Sequence, residues 1–147
     1  MPAYLGLRNE YRKFYVVFAP SHFNRIWSVF CGTAYRHCWV FWPHYLGPPG
    51  LLTPKITLKT ESLSSMLDID VWHENPDEVA RQFLKGATDI LTLTLPYKSA
   101  LRYTPRGLIT CVSMVKAAMN LNAWWVLTPR QLYIYLQRAG AKSLKEK

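Results

Sequence analysis

Apolar and polar positions along this chain fall into alternating stretches of strand length and stretches with helical spacing. Lys13-Phe-Tyr-Val-Val-Phe18 is a short apolar run closed by Ala19-Pro20 and predicts a buried strand. Phe23, Ile26, Trp27 and Phe30 recur at helical spacing behind Ser21, which predicts a short helix ended by Cys31-Gly32. Tyr35 to Trp42 alternates with aromatic and β-branched residues and predicts a strand that stops at Pro43. Proline and glycine at 43, 47 to 50 and 54 then mark a loop. Lys55–Glu61 and Met66–Trp72 alternate as two further strands, and an antiparallel meander joins them most simply.

Asn75-Pro76-Asp77-Glu78 predicts a helix start, with a capping side chain, proline in the first turn and carboxylates at the positive end of the dipole. Val79, Phe83 and Leu84 form its apolar side, and Gly86 ends it. Thr88–Leu95 alternates into another strand of the sheet. Near the C-terminus, Thr110 caps a helix whose apolar face carries Val112, Val115 and Met119. Asn120-Leu-Asn122 is a turn, and Trp124 and Trp125 are expected to bring their rings back toward the core. Thr128-Pro129-Arg130-Gln131 is a capping box with proline in the first position, opening a helix that packs Leu132, Tyr135 and Leu136 inward and ends at Gly140. Mixed strands and helices predict an α+β domain with an antiparallel sheet.

With 147 residues, half of them hydrophobic, the chain is expected to form one domain over 1–147 with a sizeable core. An N-terminal arm over about 1–13 and a basic, solvated tail over about 141–147 would flank it. No apolar run approaches about eighteen residues, so no membrane span is expected. The first residues do not form a signal peptide, which predicts synthesis in a cytoplasm. The three cysteines are odd in number and fit a reducing compartment. A metal set from Cys31, Cys38, His37 and His44 is disfavoured because adjacent strand residues face opposite sides, so neither metal nor cofactor is expected. The net charge of +9 favours anionic partners, among them envelope polymers, acidic protein surfaces and nucleic acid. No nucleic-acid-binding motif accompanies it.

Chemistry enters at Cys111. In the first turn of its helix a thiolate is favoured by the dipole, and free backbone N–H groups there can hold an oxyanion, although a cysteine in an apolar helix also serves simply as core. His37, at the start of its strand, supplies an imidazole suited to act as general base. The motifs Arg36-His37-Cys38-Trp39-Val40, Thr110-Cys111-Val112-Ser113-Met114-Val115-Lys116 and Thr128-Pro129-Arg130-Gln131-Leu132-Tyr133, in that order, resemble the circularly permuted, NlpC-type branch of the papain-like cysteine peptidases and amidases. In particular they resemble its small members from tailed bacteriophages, over about residues 14 to 136.

That resemblance implies a papain-like domain with the nucleophile helix on an antiparallel sheet, Cys111 as nucleophile and His37 as base. Glu61 would orient the imidazole, with Asp68 as the alternative. It also implies a hydrolase that cleaves a peptide or amide bond in peptidoglycan, carried in the virion with tail and other phage structural proteins as partners, and made in the host cytoplasm. Two other classes stay open: a structural tail or head-to-tail protein that keeps the scaffold without catalysis, and a basic DNA-contacting factor. Arg102 and Tyr103, on the approach to Cys111, are candidates to touch substrate.

Overall fold

The computed structural model describes residues 11–20, 34–44, 56–63, 66–96 and 110–145. The fold class is α+β. Strands β1 (Tyr11–Ala19), β2 (His37–His44), β3 (Ile56–Leu63), β4 (Met66–Trp72), β5 (Asp89–Pro96) and β6 (Lys142–Ser143) form one sheet in the order β4-β3-β2-β1-β5-β6. Every neighbouring pair is antiparallel. Three helices accompany it among the described residues: α1 (Pro76–Leu84), α2 (Cys111–Ala118) and α3 (Pro129–Arg138).

β1 is buried along most of its length because both faces of the sheet are covered there. Phe14, Val16 and Phe18 join Cys38, Val40 and Leu91 on one face, packed against Val112 and Val115 of α2 and Leu132 and Leu136 of α3. Tyr15 and Val17 join Trp39, Phe41 and Ile90 on the other, packed against Val79 and Ala80 of α1. The sheet is thus the middle of three layers. Lys59 lies over the rings of Trp39 and Trp72, 5.1 and 5.7 Å from their centroids, and pairs with Asp70 at 3.4 Å.

The caps follow the local chemistry. The Asn75 side chain accepts from the Asp77 N–H at 2.9 Å at the head of α1. Thr128 and Gln131 close the predicted capping box of α3. At the other end of α3, Gly140 takes a φ of 95°, and Ala141 N–H donates back to Leu136 O at 2.9 Å. Asn120 does the same for α2 with a φ of 53°, one of the few side chains that tolerate that region.

Three expectations need correction. β2 runs through Pro43 rather than stopping there: its register with β1 ends at Tyr15↔Phe41, so Pro43 pairs with Thr57 of β3 alone and its missing N–H interrupts no two-sided ladder. Lys142–Ser143 of the supposed tail form β6 against Leu91 and Thr92 of β5, although both residues remain exposed. Leu144 N–H then donates to Ile90 O at 2.9 Å, and Lys145 Nζ to Ala87 O at 2.6 Å. Trp124 and Trp125 turn outward, 74% and 53% exposed, while Ala123 and Val126 beside them are buried. The helix expected over 21–30 and residues 45–54 of the loop expected between Pro43 and Pro54 lie outside the described residues.

Candidate functional site

The helix that carries Cys111 is fixed at its head by a reciprocal cap. Thr110 Oγ1 accepts from the Ser113 N–H at 3.1 Å, Ser113 Oγ accepts from the Thr110 N–H at 2.8 Å, and Thr110 O accepts from the Met114 N–H at 3.0 Å. Cys111 is the first helical residue and is half-buried. Below it, Val112 and Val115 are fully buried against the sheet, so neither the height nor the rotation of the helix is free.

Cys111 meets the start of β2. The Cys38 thiol and backbone N–H both donate to the Cys111 sulfur, and the His37 side chain donates to it as well. The β2–β3 register runs from Val40↔Thr60 to His44↔Ile56, so Cys38 lies beyond its end, where its backbone N–H is turned to the sulfur. The effect on the thiol is large. The Cys38 hydrogen bond favours the thiolate most, burial opposes it, and the hydrogen bond and positive charge of His37 together with the Cys38 N–H bring the Cys111 pKa down to about 5. At neutral pH the sulfur is therefore an anion.

Adjacent strand residues were expected to face opposite sides, which would have separated His37 from Cys38. Both nevertheless reach Cys111. Cys38 does so from the helix-covered face, sharing a cluster with Val40, and His37 does so from the first position of the strand, where the pleat is bounded on one side only. From sequence, Cys38 carries no catalytic expectation. Its place two residues before buried Val40, at strand periodicity, was the signal that it sits under the helix.

The chain entering β2 is held from several directions. Arg36 N–H donates to Ala19 O at 3.2 Å, and Thr88 Oγ1 donates to Ala34 O. The Tyr35 ring packs on Tyr133 with centroids 4.7 Å apart and on Phe18 at 6.0 Å. Tyr133 is anchored in turn, since its hydroxyl donates to Asp89 Oδ2 at 2.8 Å. Burial, followed by that carboxylate, raises the Tyr133 pKa and keeps the phenol a donor. Asp89 is buried and also accepts from Ser143 Oγ and its neighbour's N–H at Ile90, each at 2.7 Å. Arg36 and Tyr133 belong to the Arg36–Val40 and Thr128–Tyr133 motifs, whereas Tyr35, Thr88, Asp89 and Ser143 belong to none.

Further along α2, Lys116 is buried and donates from Nζ to Ala123 O at 3.1 Å and Val126 O at 2.7 Å. Its desolvation lowers the lysine pKa. This clamp sets the turn between α2 and α3 and accounts for the outward Trp124 and Trp125, since the carbonyls on either side of them are directed inward.

Glu61 lies in β3 beside Thr60 and pairs in register with Asp68 of β4; the side chains of both lie outside the described residues. Arg102, Tyr103 and Cys31 lie outside the described residues, and so do the side chain of His44 and the whole of His22. Among the described residues no group of His, Cys, Asp and Glu forms a metal-binding set, and no helix is long and apolar enough to cross a membrane.

The arrangement can present an activated sulfur, an imidazole and a helix N-terminus to one substrate atom group. Comparison of the chain with protein-family models, with curated proteins and with solved structures finds no match.

Proposed function

We propose that this chain is a papain-like cysteine hydrolase carried in a bacteriophage virion, cleaving a peptide or amide bond of peptidoglycan during cell entry. The observation that carries the chemistry is the contact of Cys111 with His37 at the head of α2, in a setting that favours the thiolate. Cys111 attacks the carbonyl carbon. Ser113 and Met114 N–H groups are engaged by Thr110, so the oxyanion is assigned to the N–H groups at the positive end of the helix that Thr110 does not engage, that of Cys111 with that of Val112 beside it. His37 gives its proton to the leaving amine, and water then hydrolyses the thioester with His37 as base. Glu61 is assigned the part of orienting the imidazole on the family resemblance alone.

The phage setting and the peptidoglycan substrate rest on the motif resemblance. The net charge of +9 also suits an anionic envelope polymer. The test is incubation of the protein with purified peptidoglycan, scoring newly released amino groups. Release that falls at least about a hundred-fold in both Cys111→Ala and His37→Ala is expected. Release that is undiminished in Cys111→Ala overturns the assignment.

A second reading has one specific observation behind it. Trp124, Trp125 and Leu127 are exposed together in one turn, as suits anchors for another protein. On that reading the chain is a structural tail or head-to-tail component, and particles carrying Cys111→Ala would infect normally.

A further inference from the structure

The cysteine beneath Cys111 favours its thiolate but forms no bond to substrate in the hydrolytic cycle. Cys38 is fully buried, on the sheet face that α2 covers, and Cys111 packs against the same cluster. Neither thiol is in a disulfide, and the Cys38 side chain is the largest influence favouring the Cys111 thiolate. Packing of Cys111 against the cluster that contains Cys38 places the two sulfurs in one region, and a disulfide requires them to close to roughly 2.05 Å. Cys111 is partly open to solvent and anionic, whereas Cys38 is closed to it, so small oxidants reach the first and not the second.

We propose that Cys38 is the resolving thiol of Cys111, so that a hydroperoxide converts the pair into a Cys38–Cys111 disulfide that reversibly silences the nucleophile. The Cys111 thiolate attacks the peroxide oxygen, breaking the O–O bond. Two electrons pass from sulfur to the peroxide, which leaves as water or an alcohol, and Cys111 becomes a sulfenate. Once protonated, this sulfenic acid is attacked by the Cys38 sulfur: the S–S bond forms, the S–O bond breaks, and the departing hydroxyl leaves as water with the Cys38 proton. A dithiol reductant returns both thiols. The assignment rests on the reading of Cys111 as an activated thiol, but not on what bond that thiol cleaves.

The experiment treats the reduced full-length protein with hydrogen peroxide, blocks remaining thiols under denaturing conditions, and maps the digest without reduction. Of the three cysteines, two are expected to be lost together as a peptide joining residues 38 and 111, and both to return on reduction. In Cys38→Ser and Cys38→Ala, Cys111 should instead accumulate as sulfenic acid captured by dimedone and then as sulfinic acid that reductant does not restore. Three outcomes in the unsubstituted protein overturn the proposal: sulfinic acid at Cys111 with Cys38 still free, a link to Cys31 in place of Cys38, or three intact thiols after peroxide. The hydrolase reading fails separately. A protein inert toward peptidoglycan that still forms the link loses the hydrolysis and keeps the switch, and one that hydrolyses without forming the link does the reverse.

Discussion

Tyr133 donates its hydroxyl to the buried carboxylate of Asp89 at 2.8 Å, joining α3 to the first residue of β5, and lays its ring on Tyr35 just ahead of His37. A single side chain therefore links a helix, the sheet and the approach to the imidazole.

Tyr133→Phe keeps the ring contacts and removes one donor from a carboxylate that retains Ser143 and the Ile90 N–H. A loss of about 1–2 kcal/mol in urea unfolding is expected, in the range for one partly buried hydrogen bond to a charged group. Asp89→Ala should cost more, because it leaves both Tyr133 and Ser143 without their acceptor. Equal unfolding midpoints for the two variants would show that the network does not carry stability.

The state of Cys111 predicts a pH profile. With a pKa near 5 its alkylation by iodoacetamide should be almost flat from pH 7 to pH 9 and fall as pH drops through 5, while an ordinary thiol gains rate up to about 9. His37→Ala and Cys38→Ala should each move the inflection upward, the latter by more, since the Cys38 hydrogen bond is the larger cause. The sign for stability follows from the same shift. The folded protein releases this proton at lower pH than the unfolded chain, so the contribution grows as pH rises from about 5, is complete above about 9, and is lost as pH falls back through 5. A profile in Cys111→Ser with the same slope over that window would contradict it.

Leu132 is fully buried between α3 and the sheet, in the same cluster as Val112 and Val115. Leu132→Ala should destabilise the fold by about 2–5 kcal/mol. Because the cavity opens behind α2, the alkylation rate of Cys111 should change as well, even under conditions where the variant remains folded.

Lys116→Met keeps the length of the stem and removes the two hydrogen bonds to Ala123 O and Val126 O. Leaving those carbonyls unmatched should cost about 1–3 kcal/mol. The fluorescence of Trp124 and Trp125 should report a rearranged turn; unchanged emission and stability would show that the clamp does not hold it.

Most of the elements could be read from local chemistry. Asn75-Pro76, Thr110 and Thr128-Pro129 announced three helix starts correctly, because caps are satisfied within a few residues of themselves. β1 announced itself as an apolar run because both its faces are covered. What escaped detection depends on distant partners. The outward turn of Trp124 and Trp125 is imposed by an ammonium from another element, β6 is too short to show a period, and the bond between Asp89 and Tyr133 joins residues with no sequence relation. The meeting of Cys111 with His37 was expected from residue type and setting, whereas the influence of Cys38 on the thiol was not, because alternation was applied to Cys38 only in weighing a metal set.

The place of β1 in the sheet bears on how the chain comes off the ribosome. Its partner on one side, β2, follows soon after it, but the other, β5, aligns Val16 with Leu91 and is synthesised much later. Strand pairings of such wide separation form slowly. The helix bearing the thiol is made later still, so a nascent polypeptide exposes an ordinary, sluggish cysteine, and its reactivity arises only when translation has supplied the surface on which that helix rests.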